Sequence, residues 1–221
     1  MSTVLLQLKP REESFYEILF KKLERLDVVV LCEGRSDVEV AKSVFRKLAS
    51  EIESTRVSMG FTNVEGRENI PYIAVVVFAL SKLYRKLKSI VVVIDADEFS
   101  VEERVKSIID SLRARGVQVE EFTRDSINPQ VYTLSTVLNN RYLKLIVAVS
   151  GDFSLPTRKH VLEDHCVKLA NRHVASGLDS ARQLVEDIRE CLKHIEESPV
   201  NSVCREFGHI CRALEILLKN L

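Results

Sequence analysis

Along this chain, short uninterrupted apolar runs are separated by segments whose apolar residues recur every three or four positions. The runs Asp27–Cys32 (DVVVLC) and Ser89–Asp95 (SIVVVID) are short, β-branched and bounded by polar residues, which marks them as buried parallel strands. Arg56–Asn63 is a weaker strand candidate, and Val117–Phe122 is another strand. Ser36–Ser50 carries Val38, Ala41, Val44, Phe45 and Leu48 on one face, an amphipathic helix with Ser36 as N-cap and Glu39 three residues on. Ser100–Arg115 repeats the pattern with Val101, Val105, Ile108, Ile109 and Leu112, and Gly116 ends it. Ile70–Leu87 contains Val75-Val76-Val77, which favours strand. Two parallel strands need a crossover, however, and Pro71 suits a first helical turn, so this segment is read as a helix. Gln130–Leu138 and Tyr142–Ser150 both look extended, pairing antiparallel or lengthening an edge of the sheet.

The two ends look helical. Glu12–Leu26 places Phe15, Leu19, Leu23 and Leu26 at helical spacing, a helix outside the main sheet. After Thr157 the pattern gives a helix over His160–Arg172 and a stripe of Ala181, Leu184, Val185, Ile188 and Leu192 over Leu178–Ile195. Beyond the break at Ser198-Pro199, Val203–Leu221 carries Phe207, Ile210, Leu214, Leu217, Leu218 and Leu221. The expected organisation is an N-terminal helical segment (1–26), an α/β domain with a mainly parallel central sheet flanked by helices (27–157), and a C-terminal helical extension (158–221). The leucines crowding the terminus suggest a homodimer formed through the C-terminal helices.

Composition narrows the function classes. The chain has 221 residues, with 32 Lys+Arg against 32 Asp+Glu, and no region is a polybasic tail. Duplex binding driven by bulk charge is therefore disfavoured. The cations Lys82, Arg85, Lys86 and Lys88 cluster near a helix end, where a solvated face is preferred to a nucleic-acid track. The longest apolar run, Ile73–Leu80, is too short to span a bilayer, and Met1–Glu13 shows no basic stretch leading into an apolar one, so no membrane role and a cytoplasmic location are expected. The five cysteines, Cys32, Cys166, Cys191, Cys204 and Cys211, form no CxxC pair and are expected to be free core residues rather than a disulfide framework. Cys191, His194, Cys204, His209 and Cys211 invite a zinc reading, but their spacing fits no common zinc site.

The chemistry gathers at two strand ends. One gives Val28-Val-Val-Leu-Cys-Glu33-Gly34-Arg-Ser-Asp37, the other Val91-Val-Val-Ile-Asp95-Ala-Asp97-Glu98. Parallel sheets place ligands at the carboxyl ends of their strands. Gly34 lets the chain bend from strand to helix, Asp37 falls in the first helical turn, and Asp95 and Asp97 share one side of an extended segment. Clustered carboxylates suit Mg²⁺. Glu98 reads as a first-turn acid of the next helix rather than a ligand.

These two motifs, in this order after two apolar strands, resemble the Toprim domain of topoisomerases, bacterial-type primases, OLD-family nucleases, RecR-type recombination proteins and small ribosomal RNA maturases. The likeness covers residues 27–165 and implies a Toprim-like, Rossmann-like fold. It implies that Asp95 and Asp97 bind Mg²⁺ or Mn²⁺, that Glu33 is a ligand or general acid/base, and that Asp37 supports it. A further acidic site is matched by Leu162-Glu163-Asp164, with Glu163 or Asp164 completing a second metal site; an exposed helical acid pair is the other reading of that tripeptide. Arg35 could assist with substrate phosphate. No GxxxxGK[ST] is present, and Tyr72, Tyr84, Tyr132 and Tyr142 carry no signature of a topoisomerase nucleophile. The resemblance thus implies a metal-dependent nuclease-like enzyme acting on nucleic acid. The alternative is a non-catalytic Toprim module that binds nucleic acid or a partner protein in DNA or RNA repair or processing. A receiver-like signalling domain fits less well, because Glu-Gly rather than an acid pair follows the first strand and no late-strand lysine is evident.

Overall fold

The computed structural model describes residues 4–8, 23–51 and 57–219. Its strands are β1 (Val4–Leu8), β2 (Val28–Cys32), β3 (Ser58–Asn63), β4 (Ser89–Asp95), β5 (Gln118–Arg124), β6 (Val131–Leu138) and β7 (Arg141–Ser150). They form one sheet in the order β1-β3-β2-β4-β7-β6-β5. The first five in that order run parallel; β6 pairs antiparallel with β7, and β5 antiparallel with β6. The α/β expectation therefore holds, as a mixed sheet compatible with a Rossmann-like fold.

Period-two alternation sorts the strand residues onto two faces. Val29, Leu31, Ile90, Val92, Leu145 and Val147 meet α2 (Ile70–Ser81) and α3 (Val101–Arg113) in one core. Val28, Val30, Val91, Val93, Ile146 and Ala148 meet α1 (Arg35–Ala49) in the other. Ser100 caps α3 and Glu103 closes its capping box. The first helix begins differently from expectation. Its N-cap is Gly34, whose N–H donates to Asp37 Oδ2 at 2.8 Å, and Ser36 lies within the first turn.

Two expectations about organisation are corrected, those for residues 1–26 and for the C-terminal segment, while the antiparallel pairing of Gln130–Leu138 with Tyr142–Ser150 holds. Residues 1–26 are not all outside the sheet, because β1 pairs with β3; the helix expected over Glu12–Leu26 falls largely outside the described residues. The extended pair β6–β7 turns on Asn139-Asn140, both at positive φ, and its second strand enters the sheet interior beside β4.

The C-terminal segment is part of the core rather than an extension. It forms α4 (Leu162–Leu169), a 3₁₀ turn (Ala181–Leu184), α5 (Ile188–Glu197), α6 (Val200–Glu206) and α7 (Gly208–Leu218). Cys191, Ile195, Val203, Phe207, Ile210, Leu214 and Leu217 pack in the α1-side core. One helix cannot cover that face of a sheet buried on both sides, and the C-terminal helices supply the remainder. The leucine stripe that suggested a dimer is thus already covered from within the chain at Leu214 and Leu217; Leu221 lies outside the described residues.

The cysteine expectation is corrected too. Cys166 is bonded to Cys191 and Cys204 to Cys211, which ties α4 to α5 and α6 to α7 and removes the thiols of the zinc reading. Cys32 is the free, buried cysteine. Among the described residues no helix is long and apolar enough to cross a membrane.

Candidate functional site

Because β3, β2, β4 and β7 are parallel, Asn63, Cys32-Glu33, Asp95 and Ser150 all arrive at one sheet edge. From β2 the chain crosses to β3 on one side, then returns to β4 on the other. The switch in winding direction lies between β2 and β4, where α/β sheets open a crevice. A pocket of about 790 Å³ occupies it, lined by Glu33, Asp37, Asp95 and Glu163 together with Arg35 and Arg182. Glu65, Glu186 and Asp187 add to its acidic wall.

The acids are held rigidly and mostly out of water. Asp95 is 3 % exposed; its Oδ1 accepts from the Leu162 N–H at 2.9 Å and its Oδ2 from Arg182 Nη2 at 3.1 Å. Glu163, in the first turn of α4, is 5 % exposed and accepts from Arg182 Nε at 3.0 Å. Asp37, also buried, holds the Gly34 N–H. Glu33 Oε2 is buried without a hydrogen-bond partner.

Burial pushes the Glu33 carboxyl up to about 7, and the negative charges of Asp97 and Asp37 add to it. Burial, then Asp37, Glu163 and Glu33, raise Asp95 well above the ordinary carboxylate range, with Arg182 opposing. Asp37 is raised by burial and by Glu163. Glu33, Asp37, Asp95 and Glu163 thus share one pocket in which their negative charges raise one another's proton affinity.

Asp97 departs from the arrangement expected of it. It sits at φ +53°, bridging to His160 through reciprocal backbone hydrogen bonds, so it leaves the strand line rather than sharing a side with Asp95. Its Oδ2 accepts from both Arg67 Nη1 (2.7 Å) and Arg104 Nη2 (2.8 Å). Asp164 is turned inward. Fully buried, it accepts from the N–H groups of Asp152 and Val161 and lies 3.5 Å from His160 Nδ1. It caps α4 and braces the loop after β7, whereas Glu163, one residue earlier, reaches the pocket. The cluster Lys82, Arg85, Lys86 and Lys88 belongs to the opposite edge, where Lys86 bonds the Arg25 carbonyl and Ser58 Oγ before β2 and at the start of β3.

Arg182 was not singled out by the sequence. It comes from the irregular stretch between α4 and α5, and its guanidinium supplies the positive charge among the pocket carboxylates. Among the described residues no three His, Cys, Asp or Glu groups stand as a ready metal site, and Arg182 takes up oxygens of both Asp95 and Glu163. A second polar group lies behind the edge: Ser150 Oγ is 3.0 Å from His209 Nε2, and His165 Nε2 accepts from the Gly151 N–H. Gly151 is at φ +127°, and a side chain there would meet His160 at 2.6 Å.

Residues 27–204 match the family described as protein of unknown function (DUF3226). No curated protein and no solved structure matches the chain.

Proposed function

The chain belongs to the family of proteins of unknown function DUF3226, and we propose that it is a Mg²⁺- or Mn²⁺-dependent enzyme of Toprim type that acts on phosphodiester bonds of nucleic acid. The observation that carries this reading is the group of four carboxylates, Glu33, Asp37, Asp95 and Glu163, around one pocket at the switch point of the sheet. So many buried acids repel one another and raise one another's proton affinity, a cost that a bound cation offsets. Arg182 fills that role as the chain stands, and Glu33 Oε2 remains without a partner.

The donor set fits a hard divalent ion: all are carboxylate oxygens, and Asp95 and Glu163 are the ones that Arg182 must release. Such an ion, when bound, neutralises phosphate charge and makes a coordinated water more acidic. Asp95, Glu163 and Asp37 would hold it. Glu33, with its carboxyl near 7, is poised to take or give a proton at neutral pH. Arg182, more than half exposed and freed from the carboxylates, can turn its fork to substrate phosphate, and Arg35 lies on the same wall.

One observation favours the second reading, a non-catalytic module binding nucleic acid or a partner protein: Asp97 is committed to Arg67 and Arg104. The discriminating experiment incubates the full chain with end-labelled single- and double-stranded DNA and RNA in Mg²⁺ or Mn²⁺, with chelator and Asp95→Asn controls. The enzyme reading expects metal-dependent cleavage of at least one substrate, lost in Asp95→Asn. Binding without cleavage under every condition supports the module instead.

A further inference from the structure

Beside Asp97, which two of its arginines hold, lies a smaller groove of about 260 Å³ between the start of α2 and the flank of α3, lined by Arg67, Arg104, Arg115, Ser107, Ser111 and Glu68 among others. Its charge is the reverse of the acidic pocket's. Arg104, Ser107 and Ser111 recur every three or four residues, so α3 presents them as one polar stripe beside the apolar stripe that packs on the sheet, and Arg115 follows in the turn just past the helix. Three arginines and one glutamate are among its lining residues, and two of the arginines, Arg67 and Arg104, are also paired with Asp97.

Arg104 is the informative member. Its side chain is 6 % exposed, and Phe99 stacks against its guanidinium at 4.6 Å. Nη2 donates to the Ala96 carbonyl and to Asp97 Oδ2, yet Nε is buried with no acceptor. A buried donor left unmade is costly. A purely structural role, bracing the left-handed turn at Asp97, accounts for one arginine. It leaves unexplained why Arg67 and Arg104 converge on the same carboxylate oxygen, why Arg115 adds a third cation, and why Nε is orphaned. The volume is below the range of about 300–1,000 Å³ usual for whole small-molecule pockets, and a forked cation matches the oxygens of a phosphate group.

We infer that this groove is a phosphate-binding subsite, built from Arg104, Arg67 and Arg115 with the hydroxyls of Ser107 and Ser111. Asp97 joins it to the carboxylate pocket, so a polynucleotide can lay one phosphate against the arginines while another faces the acids. That second half rests on the nuclease reading; phosphate recognition itself does not.

The test is a calorimetric titration of the full chain with inorganic phosphate in chelator at constant ionic strength. A second arm compares a 5′-phosphorylated oligonucleotide with its 5′-hydroxyl form. Saturable phosphate binding is expected, weakened roughly tenfold by loss of one charge-assisted contact in Arg115→Gln. Arg115 is exposed, so that variant is not expected to disturb the fold, and Arg104→Gln serves as the deeper probe. Preference for the phosphorylated oligonucleotide assigns the groove to a terminal phosphate. Equal binding of both forms, weakened alike by Arg115→Gln, assigns it to an internal one. Phosphate binding that is absent, or that a folded Arg115→Gln leaves unchanged, overturns the subsite. Phosphate binding in a chain that cleaves nothing keeps the subsite and discards the nuclease reading; cleavage with no phosphate binding in chelator does the reverse.

Discussion

Arg182 donates from Nη2 to Asp95 Oδ2 at 3.1 Å, joining residues 87 positions apart in the chain. The same guanidinium holds Glu163 through Nε at 3.0 Å, so one cation ties the end of β4 to the start of α4. In the absence of another cation it balances the carboxylate pocket. With a divalent ion present, the same oxygens are required elsewhere, and Arg182 is released toward solvent and substrate.

Replacing Arg182 by glutamine should therefore expose the repulsion it masks. Thermal unfolding in chelator is expected to show a loss of about 1–2 kcal/mol, the scale of a partly solvated charge-assisted contact. Added Mn²⁺ should restore more stability to Arg182→Gln than it adds to the native chain. Equal gains in both proteins would mean that Arg182 and the metal do not compete.

Glu33 gives a pH signature. Its carboxyl titrates near 7 in the folded chain against 4.5 for an ordinary glutamate, so the folded state holds the proton more tightly. The resulting penalty is absent below pH 4.5, grows as pH rises through the window to about 7, and is complete above it. Glu33→Gln should thus match the native chain at pH 4.5 and exceed it at pH 8 by about 1–2 kcal/mol, the shift being discounted for solvent screening. If Glu33 transfers a proton, the same variant should lower kcat by about 10²–10⁴-fold. Denaturant titrations at the two pH values and single-turnover kinetics check the two halves separately.

The buried imidazoles act with the opposite sign. Burial holds His165 down to about 4 and His209 well below its ordinary value. Unfolding lets both take up protons, so the stability they carry is intact above about pH 6.5 and declines as pH falls toward 4. For His165 alone the loss is about 2–3 kcal/mol. Replacing His165 with a neutral isostere of similar volume should flatten the acid limb of the stability profile, which denaturant titrations from pH 7 to pH 4 would measure.

The cysteine pairing can be counted. Of five cysteines only Cys32 is free, so alkylation of the denatured, unreduced chain should label one thiol and reduction should raise the count to five. By loop closure, Cys166–Cys191, spanning 25 residues, contributes about 3–4 kcal/mol, and Cys204–Cys211, spanning seven, about 2 kcal/mol. Mass spectrometry of alkylated protein and a melting curve with reductant test both statements.

Local signals made Glu33 and Asp95 legible. Each ends a β-branched run at a turn, and parallel pairing then brings such ends together whatever lies between them. Glu163 was legible only as half of a pair. Sequence cannot decide which of two adjacent acids in a first helical turn faces outward, and the backbone N–H groups of Val161 and Asp152 claimed Asp164. Arg182, Arg67 and Arg104 were invisible because their partners are distant in sequence or reached through irregular backbone. The left-handed turn at Asp97 defeated the period-two argument for the same reason: the alternation holds only while the strand continues. The C-terminal helices were seen but misplaced. Their stripes say that something is buried, not what against, and the uncovered half of the α1 face of the sheet supplied the answer.

The central claim, that Asp37, Asp95 and Glu163 hold a divalent cation beside Glu33, is tested most directly by titrating the chelator-stripped full chain with Mn²⁺ and reading bound ion by electron paramagnetic resonance. Saturable binding at millimolar or lower concentration is predicted, displaced by Mg²⁺ and lost in Asp95→Asn. A native, folded chain that binds no Mn²⁺, or whose binding is unaltered by Asp95→Asn, would contradict it.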